Sequence, residues 1–149
     1  MRVITTLMTT ILMWFSHSTF ASECELTISA TDAMQFDKKA LSAPSSCKEI
    51  TLTLTHSGQL PKSAMGHNWV LSAASDMQAI ANEGMAAGAT NSYIKPDDAR
   101  VIAYTDIVGG GDSTSITFNT AGLDPSKRYR FFCSFPGHWA IMQGEFNLS

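Results

Sequence analysis

The stretch Lys48-Glu49-Ile50-Thr51-Leu52-Thr53-Leu54-Thr55 alternates apolar and polar residues with a period of two. Successive side chains of an extended chain point to opposite faces, so Ile50, Leu52 and Leu54 share one face and the threonines the other. That is the pattern of a half-buried strand, and β-branched threonine suits its solvated side. Outward from it, β-rich runs recur at Glu25 to Ala30, Asn68 to Ser72, Arg100 to Thr105, Ser113 to Asn119, Tyr129 to Cys133 and Gly144 to Leu148. Turn signals separate them: Ser57-Gly58, Lys95-Pro96-Asp97-Asp98, Gly109-Gly110-Gly111-Asp112 and Leu123-Asp124-Pro125. Short strands punctuated in this way predict an all-β sandwich or barrel. One segment breaks the pattern: Ser75 to Met85 is rich in helix formers and opens on the capping residues Ser75 and Asp76. It predicts a single inserted helix whose stripe of Met77, Ile80, Ala81 and Met85 packs on the sheets.

The chain has 149 residues, the size of one domain. With 44% hydrophobic and 15% charged residues and a mean hydropathy of +0.01, it can bury one core and is not disordered in composition. Ten basic residues against thirteen acidic ones give a net charge of −3 with no basic stripe, which argues against nucleic acid as a partner. No internal repeat is present.

Met1-Arg2, the apolar run Val3 to Phe15 and the small residues Thr19 and Ala21 form the three parts of a secretory signal, predicted over residues 1–21. A membrane anchor needs about 20 apolar residues and this run is shorter, so no stable membrane insertion is expected. Lipid attachment at Cys24 is disfavoured by the charged Glu23 immediately before it. Residues 22–149 then carry a net charge of −4, three histidines (His56, His67, His138) and all three cysteines (Cys24, Cys47, Cys133).

An odd cysteine count in an exported chain leaves two to pair and one for another role. Cys24 and Cys47 flank early strands away from any histidine and are expected to form a disulfide, whose loop of 22 intervening residues is worth about 3 kcal/mol in the chain-entropy treatment. Cys133 instead opens Cys133-Ser134-Phe135-Pro136-Gly137-His138-Trp139-Ala140-Ile141-Met142, a C-x4-H-x3-M arrangement. Pro136-Gly137 bends the chain so that Cys133 and His138 can face one point. Thiolate, imidazole and thioether form a soft set suited to copper, and a second histidine, with His67 available, would complete the trigonal set with weak axial sulfur of blue-copper electron-transfer sites.

With Glu23-Cys24, Asp32-Ala33-Met34-Gln35-Phe36, the run Leu60 to Leu71 containing Met65-Gly66-His67-Asn68-Trp69, Tyr93 to Ala103 and the Phe131 to Met142 loop, the chain resembles the azurin family of single-domain cupredoxins over essentially all of residues 22–149. The resemblance implies a Greek-key β-sandwich of about eight strands with one inserted helix, holding one copper ion cycling between Cu(II) and Cu(I). It implies His67, Cys133 and His138 as in-plane ligands, Met142 as the long axial ligand and the Gly66 carbonyl as a weak contact opposite. The amides of Asn68 and Phe135 are expected to point at the Cys133 sulfur, and the Asn68 side chain to tie its loop to Ser134. Met34, Leu60, Met65, Met85, Phe135, Pro136 and Ala140 match positions that surround the exposed edge of the loop histidine and form a docking patch, with methionine suited to an adaptable surface. Trp139 departs from the pattern, since a smaller residue is usual there; a large aromatic would enlarge that patch or partly cover His138. The implied role is a monomeric electron carrier of the periplasm, not an enzyme, serving c-type cytochromes and periplasmic reductases in transient contacts. A periplasmic copper buffer or delivery protein is the alternative.

Competing readings of the same residues remain open at this level. Cys133 could be an inert buried thiol, or a nucleophile with His138 as its base, and zinc could take the Cys and two His. A multicopper oxidase would need many more histidines than three. His56 continues the alternating strand without an evident ligand partner and is read as structural. Trp69 is read as a core residue whose indole N–H needs a partner.

Overall fold

The computed structural model describes residues 23–149; the expected leader over residues 1–21 lies outside them. Among the described residues nine strands form two sheets. The first has the order β2-β1-β4-β7, with β1 Glu25–Thr31, β2 Gln35–Phe36, β4 Glu49–His56 and β7 Ser113–Asn119. The second has the order β3-β9-β8-β5-β6, with β3 Ala40–Ala43, β5 Val70–Ala73, β6 Val101–Tyr104, β8 Tyr129–Phe132 and β9 Gln143–Leu148. The protein is an all-β, cupredoxin-like sandwich with its core between the sheets.

The period-two run of Ile50, Leu52 and Leu54 is β4, at the centre of the first sheet. It runs parallel to β1, pairing Leu52 with Leu26 and Leu54 with Ile28, and antiparallel to β7, pairing Ile50 with Phe118. Its apolar face is fully buried, whereas on the other face Thr51 meets Thr117 and Thr53 meets Ser115, each pair of hydroxyl oxygens 2.9 Å apart. Across the sandwich lie Trp69, Leu71, Phe131 and Phe146, with Trp69 packed against Phe118, Phe131 and Phe146 at ring separations of 5.8–6.4 Å. The Trp69 indole N–H has no hydrogen-bond partner in this aromatic packing, so the partner expected for it is not made.

At its centre, over β5 and β8, the second sheet buries both faces. Leu71 and Phe131 point into the sandwich; their neighbours Val70 and Phe132 point outward and meet Met77, Ile80 and Ala81 of the inserted helix, α2 Met77–Gly84, together with Ile94. A second, smaller core results. Gly84 permits the close approach, because a Cβ there would lie 2.0 Å from the Tyr93 carbonyl oxygen. Arg100 clasps the arrangement from outside, donating to both Glu83 carboxylate oxygens at 3.2 and 2.7 Å and to Asp98 at 2.8 and 2.6 Å.

Several local expectations are corrected. The strands β2 and β3 are additional to the seven runs read from the sequence, being too short to display a period. A four-residue helix, α1 Lys62–Met65, is also additional. Asp76 makes no capping bond, since its carboxylate accepts from the Ser75 hydroxyl instead. Met85 leaves the α2 stripe: the chain tightens into a 3-10 turn at Met85–Ala87, and Met85 is exposed. The Cys24–Cys47 disulfide is present, with Cα atoms 5.8 Å apart, and Cys133 is free. Among the described residues no helix is long and apolar enough to cross a membrane.

Candidate metal centre

Strand alternation delivers the first donor. Phe131 points inward and Phe132 outward, so Cys133, the next residue, points inward again and is fully buried. Its backbone N–H donates to the Met142 carbonyl at 3.0 Å, which sets Met142, also fully buried, beside it just before β9. The intervening loop turns on itself: Gly137 adopts φ +82°, the His138 N–H donates to the Phe135 carbonyl at 2.9 Å, and the N–H groups of Ile141 and Met142 both donate to the His138 carbonyl at 3.0 and 2.8 Å. His67 comes from the far side, between α1 and β5. Reciprocal backbone bonds with Val108, at 3.0 and 2.9 Å, fix its place. Gly66 before it has no room for a side chain, since a Cβ would lie 2.5 Å from the Lys62 carbonyl and 2.6 Å from Ile107.

These elements bring His67, Cys133 and His138 together, with all three donor atoms within 4.8 Å of one another. The Cys133 Sγ lies 3.9 Å from His67 Nδ1 and 3.6 Å from His138 Nδ1, and the two Nδ1 atoms are 3.2 Å apart. The Gly66 carbonyl oxygen is 3.9 Å from the sulfur. His67 Nε2 lies 2.9 Å from the Thr31 carbonyl, an acceptor only, so this nitrogen carries the proton and Nδ1 presents its lone pair inward. Unshared electron pairs of nitrogen and sulfur converging on one buried point fit a soft cation, and copper suits this set.

Without metal the centre is held neutral. Burial pulls His67 down to about 4, against the opposing hydrogen bond to Thr31. Burial also lowers His138. It pushes the Cys133 thiol up to about 12, although the amides of Asn68 and Phe135 pull the other way. Full burial also keeps a substrate away from this thiol, which speaks against the Cys–His catalytic reading. A bound cation would take the place of that proton.

Behind the donors, Asn68 ties the two ligand segments together. Its Oδ1 accepts from the Ser134 N–H at 2.9 Å, its Nδ2 donates to the Ser134 hydroxyl at 2.8 Å, and that hydroxyl donates to the Ser92 carbonyl at 2.7 Å. The ring of Phe135 lies 4.7 Å from that of His138, with Tyr93 5.4 Å beyond. His56, which the sequence leaves apart from the site, stacks on His67 with ring centroids 4.6 Å apart. Both its nitrogens are satisfied: Nε2 donates to the Met65 carbonyl at 2.9 Å and Nδ1 accepts from the Gly58 N–H at 3.0 Å. No motif could place His56 there, because only the pairing of β4 with β1 and the path of α1 do so. The carbonyls of Thr31 and Ser92 left no signal either, since a backbone acceptor has no residue type.

The surface residues divide. Leu60, Met85, Pro136 and Ala140 are exposed; Met34, Met65 and Phe135 are half-buried. Ile141, which the sequence reading passed over, is 53% exposed. His138 itself is only 4% exposed, a narrower edge than expected. Trp139 is half-buried and packs against the small core under α2.

Residues 22–149 match the family described as copper binding proteins, plastocyanin/azurin family. The chain is 52% identical over 134 residues to an azurin of Bordetella pertussis, covering 90% of this chain and 89% of that one. It is 47% identical over 138 residues to an azurin of Pseudomonas aeruginosa, covering 93% of each. Among solved structures, an azurin (Az-iso2) of the methylotroph Methylomonas sp. strain J superposes with a TM-score of 0.82 at 44% identity, covering 85% of this chain and 98% of that one. A copper donor set inside a cupredoxin-like sandwich and these similarities agree: the chain belongs to the plastocyanin/azurin family of copper-binding proteins. It is a blue copper protein, and copper is its cofactor.

Proposed function

We propose that the protein is exported to the periplasm by cleavage after residue 21 and there carries single electrons, without catalysing a reaction of its own, between c-type cytochromes and periplasmic reductases. The observation that carries this reading is the burial of the donor set: His67, Cys133 and Met142 are 0% exposed and His138 is 4% exposed. An electron can cross such a wall, but a substrate cannot reach the centre. Copper, when bound, supplies the Cu(II)/Cu(I) couple. His67, Cys133 and His138 would hold it, with the Met142 thioether and the Gly66 carbonyl as weak further donors. The chain's part is to keep these donors still: Thr31 orients His67, the Asn68–Ser134 bonds lock one ligand segment to the other, and packing leaves no space for rearrangement. His138, on the loop flanked by exposed Pro136 and Ala140, is the edge nearest solvent, and with Leu60, Met65, Met85 and Met34 it would meet partners through a small apolar contact suited to fast release.

The test is the visible and EPR spectrum of residues 22–149 after addition of Cu(II) and again after ascorbate. An intense red-region band with narrow copper hyperfine splitting, bleached reversibly and absent from Cys133→Ser, is expected. A pale Cu(II) spectrum, or an intact blue band in the serine variant, would overturn the assignment. A copper delivery protein would surrender Cu(I) rapidly to a chelator, where the carrier retains it.

A further inference from the structure

Of the three residues between His138 and Met142, Ala140 and Ile141 face solvent, and Trp139 alone turns inward. It does not turn toward the sandwich core that holds Cys133 and Met142. Its ring packs against the separate small core on the outer side of the second sheet, formed by Val70 and Phe132 with Met77, Ile80 and Ala81 of α2 and with Ile94. A second grip acts on the same turn from β9: the Gln143 amide nitrogen donates to the Trp139 carbonyl at 3.3 Å and to the Ala140 carbonyl at 3.2 Å. That amide is itself held, since Arg130 Nη1 on β8 donates to Gln143 Oε1 at 2.7 Å. Arg130 pairs with Glu145 and Phe132 with Gln143 in the ladder, so Arg130 and Gln143 are diagonal neighbours on the outer face, the face that Trp139 joins.

We propose that Trp139, with the Gln143–Arg130 pair, clamps the ligand loop to the outer core under α2, which makes Trp139 a positioning residue for His138 and Met142. The inference deepens the copper reading above, resting on it for what the clamp holds in place, while the clamp itself is a property of the chain. A loop with Pro136, Gly137, Ala140 and Ile141 all facing solvent belongs to the low-stability end of a fold unless something outside it pins it. Here the pin is an indole, and its effect falls on the two N–H groups that close the turn, those of Ile141 and Met142 on the His138 carbonyl.

Hydrogen exchange of the metal-free chain tests this without copper. In Trp139→Ser, exchange at the Ile141 and Met142 amides is expected to rise about tenfold, with the Leu52 and Leu54 amides of β4 unchanged. Gln143→Leu should raise the same two amides by a smaller factor, and Trp139→Phe, which keeps a ring in the outer core, should restore them to within about twofold of the unsubstituted protein. In the copper-loaded protein Trp139→Ser should release copper to EDTA about tenfold faster, again rescued by phenylalanine. The proposal is overturned by unchanged exchange at Ile141 and Met142, by an equal rise at Leu52 and Leu54, or by failure of phenylalanine to rescue. Failure of the copper reading would show separately, as a missing blue band in the unsubstituted protein.

Discussion

At the scale of single residues, the centre is built from groups whose alternatives are closed off. His67 can present only Nδ1 inward because Nε2 is spent on Thr31, and Cys133 has no water to stabilise a free thiolate. Met142, proposed as a further donor, is a different case, because a thioether is a weak donor whose loss leaves the three strong ones in place. Met142→Leu is expected to retain copper and the blue colour but to raise the reduction potential by roughly tens of millivolts, since an apolar side chain disfavours the more highly charged ion. Cyclic voltammetry of the variant would check this, and an unchanged potential would remove Met142 from the set. Asn68 is the residue whose loss should cost most per atom, because Asn68→Ala strands the buried Ser134 N–H and frees the two ligand segments from each other. A loss of about 2 kcal/mol in urea unfolding is expected. An effect within about 0.5 kcal/mol would show that the bond is replaceable.

Among the elements, α2 does more than cover the second sheet. Its Glu83 is held by Arg100, which also holds Asp98, so the segment from Lys95 to Arg100 is fastened to the helix by charge. The hydrogen bonds from Arg100 keep the Asp98 carboxyl below its ordinary value of 3.8. A carboxylate whose folded value is depressed contributes stability that is present above the unfolded value and is lost as pH falls through the folded one. Asp98→Asn should therefore lower the urea midpoint of the metal-free chain at pH 7, and the gap between variant and parent should narrow below about pH 4. A gap independent of pH would mean that Asp98 acts through shape and not through charge. The helix was legible from Ser75 to Met85 because helix formers cluster there, whereas its true end at Gly84 was not. There the chain tightens into the 3-10 turn Met85–Ala87, and Gly84 lies against the Tyr93 backbone, a contact from a segment the local sequence does not mention.

For the molecule as a whole, docking as proposed at a loop edge with Pro136, Ala140 and Ile141 exposed would be guided by apolar fit more than by charge. Leu60 is 42% exposed and bonded to nothing in the centre, so a charge placed there tests docking alone. Leu60→Asp is expected to slow electron exchange with a c-type cytochrome about tenfold while the blue spectrum stays as in the parent. Stopped-flow mixing would measure it, and an unaltered rate would place the contact elsewhere on the surface.

The sequence by itself determined the β class, through the strict alternation at Ile50, Leu52 and Leu54, and it brought forward Cys133, His138 and Met142 as candidate donors, since they lie within ten residues of one another. Period and spacing are local properties, so they can be read locally. Only the tertiary structure decided that His56 stacks on His67, that β2 and β3 complete the sheets, and that Trp139 packs on the small outer core that α2 shares with β5 and β8. Each of those depends on which segments meet in space, and burial of apolar surface, which decides that, is indifferent to distance along the chain.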